Sequence, residues 1–343
     1  MTKRSIILVK ITMKISKKVV KGKSYLYALD SIYINRGKTI PQNKSLGPAA
    51  TTTNFAEKKR QFLNYLIQEE GKQRINYWNS KASSEFLGAY VEIDKVEQLR
   101  AELFQMKKNM GELGAAAMET AFLVDFIYNS NKLEGSRVPR ESIERIVRET
   151  SKEKNSEVKN TITAINFIRQ SKFKFTLKNI EKLHDMLIAH EPTNLKYRTS
   201  NDVVVGNSRV SDFKNIKNEL ANLLKENTKR NYSMYPLEQA FLFYYQFERI
   251  HPFNDGNGRT GRLLMNEILK THKYHPIIIW NVNRQAHMNA FEKAANGRLN
   301  PFFKFMSEQF IKTHEIYLKK IDNAYNLDTV MESFLKPSAS END

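Results

Sequence analysis

From about residue 111 onward, apolar residues recur at helical spacing in one segment after another: Ala115 to Tyr128, Pro139 to Arg148, Val158 to Phe173, Leu177 to Ala189 and Leu237 to Ile250. A period near 3.6 gives each segment one face to bury, and a succession of such faces is satisfied by packing helix on helix. The expected fold class is therefore mainly α, a helical bundle. One stretch breaks the pattern. Between Tyr197 and Val210, Val203 and Val205 alternate ahead of Gly206-Asn207, which suits a short β-hairpin or an extended flap.

The N-terminal part reads differently. Ile7, Val9 and Ile11 alternate, and Ser24 to Ile34 is rich in strand formers and ends at Gly37, so residues 1–54 are expected to form a small β-rich element. Pro48 to Asn54 reads as a loop, and Phe55 to Gln68 and Val96 to Met110 return to helical spacing. The expected divisions are 1–54, a helical region 55–110, a core 111–325 and a frayed tail 326–343.

Charge separates these parts. The 343 residues carry a net +18, and residues 1–60 hold 14 Lys or Arg against Asp30 and Glu57, so about +12 of the excess lies there. Lys14, Lys17, Lys18, Lys21 and Lys23, with Tyr25, Tyr27 and Tyr33 nearby, fit a nucleic-acid surface, a solvated sheet face or a docking surface for an acidic protein. The absence of cysteine excludes disulfides, a cysteine nucleophile and a thiolate zinc site, and a reducing, cytoplasmic setting is expected. Lys10 and Lys14 interrupt the apolar run that starts at Ser5, so neither a signal peptide nor a membrane span is expected.

Chemistry concentrates in Ile250-His251-Pro252-Phe253-Asn254-Asp255-Gly256-Asn257-Gly258-Arg259-Thr260-Gly261-Arg262, between one helix and another that begins near Arg259. Gly256 and Gly258, alternating with Asp255 and Asn257, let backbone N–H groups converge at a helix N-terminus, which makes a cradle for phosphate. Arg259 and Arg262, three apart, reach one side of the first turn. Two cations there oppose the helix dipole unless an anion is bound between them. Asp255 is a hard oxygen ligand suited to Mg²⁺, and His251 is the group best placed to accept a proton near neutral pH.

This segment resembles the motif of the Fic family, H-x-F-x-[DE]-G-N-G-R-x-x-R, at all eight specified positions. The resemblance covers about Ala115 to Phe310 and implies a Fic-type helical bundle that transfers AMP from ATP onto a Ser, Thr or Tyr hydroxyl of a protein target. It implies His251 as general base, Phe253 as core anchor and Asp255 as Mg²⁺ ligand. Gly256, Asn257 and Gly258 would form the anion hole, and Arg259 and Arg262 would bind the β- and γ-phosphates. Lys196-Tyr197-Arg198 with Val203, Val204, Val205 and Gly206 looks like the family's target-docking flap, and His184 like one of its structural positions. Glycine at 256 and 258 favours AMP transfer over the phosphorylation carried out by the Doc branch. Where many relatives carry two tyrosines and an asparagine near the adenine, this chain has His287, Met288 and Ala295, with Asn296 one place on, which leaves the base preference open.

Ser130-Asn131-Lys132-Leu133-Glu134-Gly135 matches the family's inhibitory pattern [ST]-x-x-x-E-[GN] at the end of an apolar helix, about 115–135, N-terminal to the core. This resembles the subclass with an N-terminal inhibitory helix, in which Glu134 would pair with Arg262 and obstruct the γ-phosphate. The expectations are an autoinhibited adenylyltransferase with ATP as substrate, Mg²⁺ as cofactor and a protein partner, self-AMPylation included. The same site acting as a de-AMPylase, and a binding module with a largely silent Fic core, remain as alternatives.

Overall fold

The computed structural model describes residues 13–35, 37–50, 54–81, 91–148, 155–169, 173–189, 197–205, 208–230 and 233–335, the stretch from 323 onward by backbone alone. Ile7, Val9, Ile11, Lys196, Gly206, Asn207 and the tail from Lys336 lie outside the described residues. The chain divides into two compact units, one of residues 1–77, 97–121 and 312–343, the other of residues 78–96 and 122–311.

The first unit begins with an antiparallel meander of β1 (Lys14–Val20), β2 (Lys23–Asn35) and β3 (Lys38–Pro48). Lys21 and Gly22, both at positive φ, make the two-residue turn that joins the first pair and suits the twist of the strands. Ala28, Ile32 and Ile34 alternate along β2 and are buried, and Leu46 joins them at a bulge in β3. β3 carries Pro41 and few apolar residues and reads poorly as a strand in sequence. It forms because it is an edge strand, paired on one side only.

Helices α1 (Phe55–Lys81) and α2 (Ile93–Asn109) hold this sheet by polar contacts as well as apolar ones. Gln105 donates to the Ser31 carbonyl at 3.2 Å and Arg74 to that of Ile34 at 2.5 Å, while buried Arg74 and Arg100 join the two helices by pairing with Glu97 and Glu70. Lys14, Lys17, Lys18, Lys21 and Lys23 are exposed, and the Lys18 ammonium lies 5.0 Å from the Tyr27 ring.

Helix α3 (Glu112–Leu133) runs on into the second unit, which holds α4 (Arg140–Val147), α5 (Ser156–Ile168) and α6 (Leu177–Ile188). Next come the hairpin β4 (Val204–Val205) and β5 (Ser208–Arg209), α7 (Ile216–Arg230), α8 (Pro236–Ile250), α9 (Asn257–Thr271), α10 (Arg284–Ala295) and the start of α11 (Asn300–Leu335). Helices α8 and α9 form the centre, with Ala240, Phe241, Phe247, Leu264 and Met265 without exposure. Helix α5 stops at Ile168, short of the expected Phe173. Phe173 instead lies outside any helix, edge-on to both Phe167 and Phe175. The hairpin between helices exists but is short, and Val203 precedes it rather than belonging to it. Among the described residues no helix is long and apolar enough to cross a membrane.

Candidate active site

The expected motif forms a turn between α8 and α9. Pro236, with φ set for a helix, opens α8, and His251 closes it in the left-handed conformation (φ 47°, ψ 63°), its N–H donating to the Phe247 carbonyl at 2.9 Å. A histidine there costs about 1–3 kcal/mol relative to an ordinary backbone conformation, so surrounding contacts must hold it. Phe253, without exposure, is stacked between the rings of His184 and Tyr197, at 3.6 and 5.6 Å. Asn257 acts as a backbone clamp: its Oδ1 accepts from the Phe253 N–H at 2.9 Å, and its Nδ2 donates to the Phe253 carbonyl at 2.8 Å.

Both expected glycines have a steric reason. Gly256 caps α9 at φ 77°, and a Cβ there would meet Ile188 Cγ2 at 3.0 Å and the His184 ring at 3.4 Å. His184, buried, makes a 2.8 Å hydrogen bond through Nε2 to the Asp255 carbonyl and so fixes the same corner from α6. At Gly258 a Cβ would sit 2.1 Å from Glu134 Oε1 and 2.8 Å from Arg262 Nη1. Its hydrogen leaves a space at the start of α9, and a carboxylate fills that space.

That carboxylate is placed by the end of α3. The helix continues past Tyr128 to Leu133 and finishes in a Schellman motif: Gly135, at φ 90°, donates to the Lys132 carbonyl at 3.0 Å, and Ser136 to that of Asn131 at 3.0 Å. Glu134 is the capping residue, and its Oε1 accepts from Arg262 Nη2 at 2.7 Å. Arg262, 3% exposed, also donates through Nε to Ser130 Oγ and through Nη2 to the Ser130 carbonyl, both at 3.0 Å. Ser130 and Glu134 thus meet Arg262 across 132 and 128 residues of chain, with Gly258 beside them.

The two arginines, expected on one side, diverge. Arg262 lines the cleft, whereas Arg259 turns back to Asp255 Oδ2 at 2.7 Å. The cleft holds about 790 Å³, open solvent at its mouth included, and its walls contain Glu134, His251, Asp255, Gly256, Asn257, Gly258 and Arg262. Val204 and Val205 form one wall, and Arg284, His287, Met288 and Phe291 another. Val203 is not on the wall.

Burial, and then the Arg198 charge, depresses the His251 imidazole to about 4, so the ring is neutral at neutral pH. His287 is depressed to about 3, first by burial and then by Arg262 and Arg284. It lies between Tyr244 and Phe305, with ring centroids at 6.0 and 5.5 Å.

Two charged residues at the site have roles that the sequence does not show: Arg198, expected only as part of the flap, and Glu248. Arg198, 1% exposed, spreads its guanidinium over backbone carbonyls at the end of α8 and on the segment that carries the hairpin. Glu248, 6% exposed, lines the cleft with Oε2 3.8 Å from His251 Nδ1. On an amphipathic helix Glu248 reads as an ordinary polar position. Burial, with Glu134 beside it, pushes its carboxyl up to about 8, partly offset by Arg262.

A folded carboxyl that holds its proton longer than the unfolded one costs stability progressively from about pH 4 up to about pH 8. Glu248→Gln is therefore expected to leave the urea midpoint unchanged near pH 4 and to raise it near pH 9. An equal shift at both would contradict this reading.

The oxygen chemistry bears on a metal. Among the described residues no group of three or more His, Cys, Asp or Glu could hold an ion. Mg²⁺ ordinarily keeps its waters and takes one or two carboxylates plus substrate phosphates, so Asp255 at the cleft wall fits an ion that arrives on a polyphosphate.

The Fic/DOC family model matches residues 174–269. The chain is 28% identical over 241 residues to Protein adenylyltransferase Fic of Drosophila melanogaster, covering 66% of this chain and 48% of that protein. It is 30% identical over 242 residues to that of Drosophila mojavensis, covering 66% and 47%. The chain thus spans about half the length of the curated relatives it matches. Among solved structures, a Fic domain containing signaling protein from Bacteroides thetaiotaomicron aligns with TM-score 0.60 at 20% identity, over 67% of this chain and 97% of that one. Fic-1 from C. elegans aligns with TM-score 0.60 at 17% identity, over 79% and 87%.

Proposed function

From a chain whose residues 174–269 form a Fic/DOC family domain, we propose a protein adenylyltransferase, held at rest by its own Glu134, that moves AMP from ATP to a hydroxyl on a protein. The observation that carries this reading is the Glu134 carboxylate itself: an anion on Arg262, in the space opened by Gly258, at the N-terminus of α9. A helix start with a buried guanidinium suits a phosphate, and the side chain occupies the place a phosphate would take. The name carried by the curated relatives supports AMP as the transferred group.

With Glu134 withdrawn, the γ-phosphate takes over the donors of Arg262, and the α9 N-terminus faces the phosphate chain. His251, neutral and on the cleft wall, accepts the proton of the attacking hydroxyl at Nε2. The hydroxyl oxygen bonds to the α-phosphorus, and the bond to the oxygen bridging the α- and β-phosphorus breaks. Pyrophosphate leaves with its charge facing Arg262. Catalysis is then chiefly positioning and charge stabilisation. Asp255 would hold a Mg²⁺, which when bound would supply positive charge against the phosphates. The target segment runs along the β4–β5 hairpin, where Val204 is 58% exposed beside the cleft.

A second reading rests on the carboxylates. Glu134 and Glu248 both line the cleft with His251, an arrangement that can hold a water for hydrolysis of an AMP–protein bond. Incubation with α-labelled or γ-labelled ATP and Mg²⁺ separates the outcomes. Protein label from the α position only is expected, strongest in Glu134→Gly. Label from the γ position means phosphorylation instead, and release of AMP from pre-modified protein supports the hydrolytic direction.

Gly258→Ala checks the anion site. The displaced atoms are the ends of flexible side chains, so the variant is expected to fold. On the Glu134→Gly background its affinity for Mg²⁺–ATP is expected to fall about tenfold or more by calorimetry, the scale of one lost charged hydrogen bond.

A further inference from the structure

The motif turn depends on a residue outside the motif. Arg198 donates through Nε to the His251 carbonyl at 2.8 Å and through Nη2 to those of Ile250, at 3.3 Å, and Ser211. Its Nη1 donates to the Ser200 carbonyl at 2.7 Å and to Asn201 Oδ1 at 3.3 Å. Its own N–H donates to the Pro252 carbonyl at 3.0 Å. One buried side chain thus joins three places: the end of α8, and the two ends, at residues 200 and 211, of the segment that carries the β4–β5 hairpin.

Every acceptor among the described residues is a neutral oxygen, so the guanidinium charge there is not cancelled by a bonded carboxylate, and it acts on the His251 ring. Asp212 and Glu219 are the acids that act on it, and Glu219 Oε2 accepts a hydrogen bond from Ser211 Oγ. The other charged groups acting on the His251 ring are Glu134 from the end of α3 and Asp255 from the turn, with Glu248 beside it on α8.

We propose that Arg198 is the positioning residue for His251: its guanidinium fork holds the left-handed turn that aims the imidazole into the cleft and ties the target-facing hairpin to that same turn. The inference rests on the adenylyltransferase reading for its kinetic consequence but not for its structural one. A left-handed histidine needs an external hold, and Arg198 supplies two of the carbonyl contacts at residues 250 and 251 that define it. Lysine has the charge but not the planar fork, and it cannot span the same four carbonyls. The charge has a separate effect, because a nearby cation disfavours the imidazolium.

The two effects can be pulled apart in full-length protein on the Glu134→Gly background. Arg198→Met loses both. Its kcat is expected to drop on the order of 100-fold with KM for ATP changed less than about threefold, because the nucleotide site is intact while the base is misplaced. The acid limb of its kcat/KM profile, and the titration of His251 Cε1 by NMR, are expected to move upward toward the ordinary imidazole range. The His251 signal is assigned by its loss in His251→Ala. Arg198→Lys is expected to keep the acid limb and still lose kcat.

A folded Arg198→Met with an unmoved His251 titration and kcat within threefold of its parent overturns the proposal. If Arg198→Met does not fold, Arg198→Lys decides: full kcat in a folded protein removes the fork role. Should the Glu134→Gly parent transfer no AMP at all, the adenylyltransferase reading fails, and the NMR titration still tests the hold on His251.

Discussion

Glu134→Gly is expected to raise AMP transfer about 10- to 100-fold over the wild-type chain, seen first as self-modification with α-labelled ATP. The factor follows from the contact removed. A charge-assisted hydrogen bond in a buried setting is worth about 1.5–3 kcal/mol, and a triphosphate must displace it to reach the same guanidinium. Arg262 keeps both Ser130 contacts when Glu134 leaves, so the donors stay aimed at the cleft. Glycine suits the end of α3, where Gly135 already makes the left-handed turn. The variant should therefore bind Mg²⁺–ATP more tightly in the same proportion. A rise in turnover with unchanged affinity would show that Glu134 misaligns the nucleotide rather than excluding it. No rise in either would remove Glu134 from the account.

His251→Ala on that background is expected to cut transfer by about 10² to 10⁴, the usual worth of a positioned general base, while ATP affinity stays within a few-fold. The pH profile adds an independent sign. A base works when unprotonated, and burial with the Arg198 charge lowers the imidazole to about 4. Activity of the free enzyme, read as kcat/KM, is thus expected to stay flat from neutrality to about pH 5 and to fall only below that. A limb near 6.5 would mean an exposed, ordinary histidine.

The twelve residues from His251 to Arg262 were readable because they act locally: a helix end, a glycine-capped turn and a helix start follow one another, and sequence spacing fixes their geometry. The helical character of the second unit was readable for the same reason, since apolar period reports which face is buried. Long-range partners are of another kind. Glu134 meets Arg262 across 128 residues, and only the resemblance to a family drew attention to it. Arg198 drew notice only as part of the flap, and Glu248 not at all, because a charged side chain in a single sequence carries no mark of whether it is buried. The divergence of Arg259 toward Asp255 escaped because helical spacing places two side chains near each other without choosing their partners. In the first unit β3 was hidden by Pro41 and by its polar composition, both of which an edge strand tolerates.

The central claim is that the glycine-lined start of α9 and Arg262 receive the phosphate chain that Glu134 displaces. A crystal structure of Glu134→Gly with Mg²⁺ and a non-hydrolysable ATP analogue tests it most directly. The γ-phosphate is expected within hydrogen-bond distance of Arg262 Nη2, the phosphate chain against the N–H groups that open α9, and the α-phosphorus facing His251 Nε2. Phosphates bound elsewhere, with Arg262 still closed on Ser130 and the space at Gly258 filled by water, would contradict it.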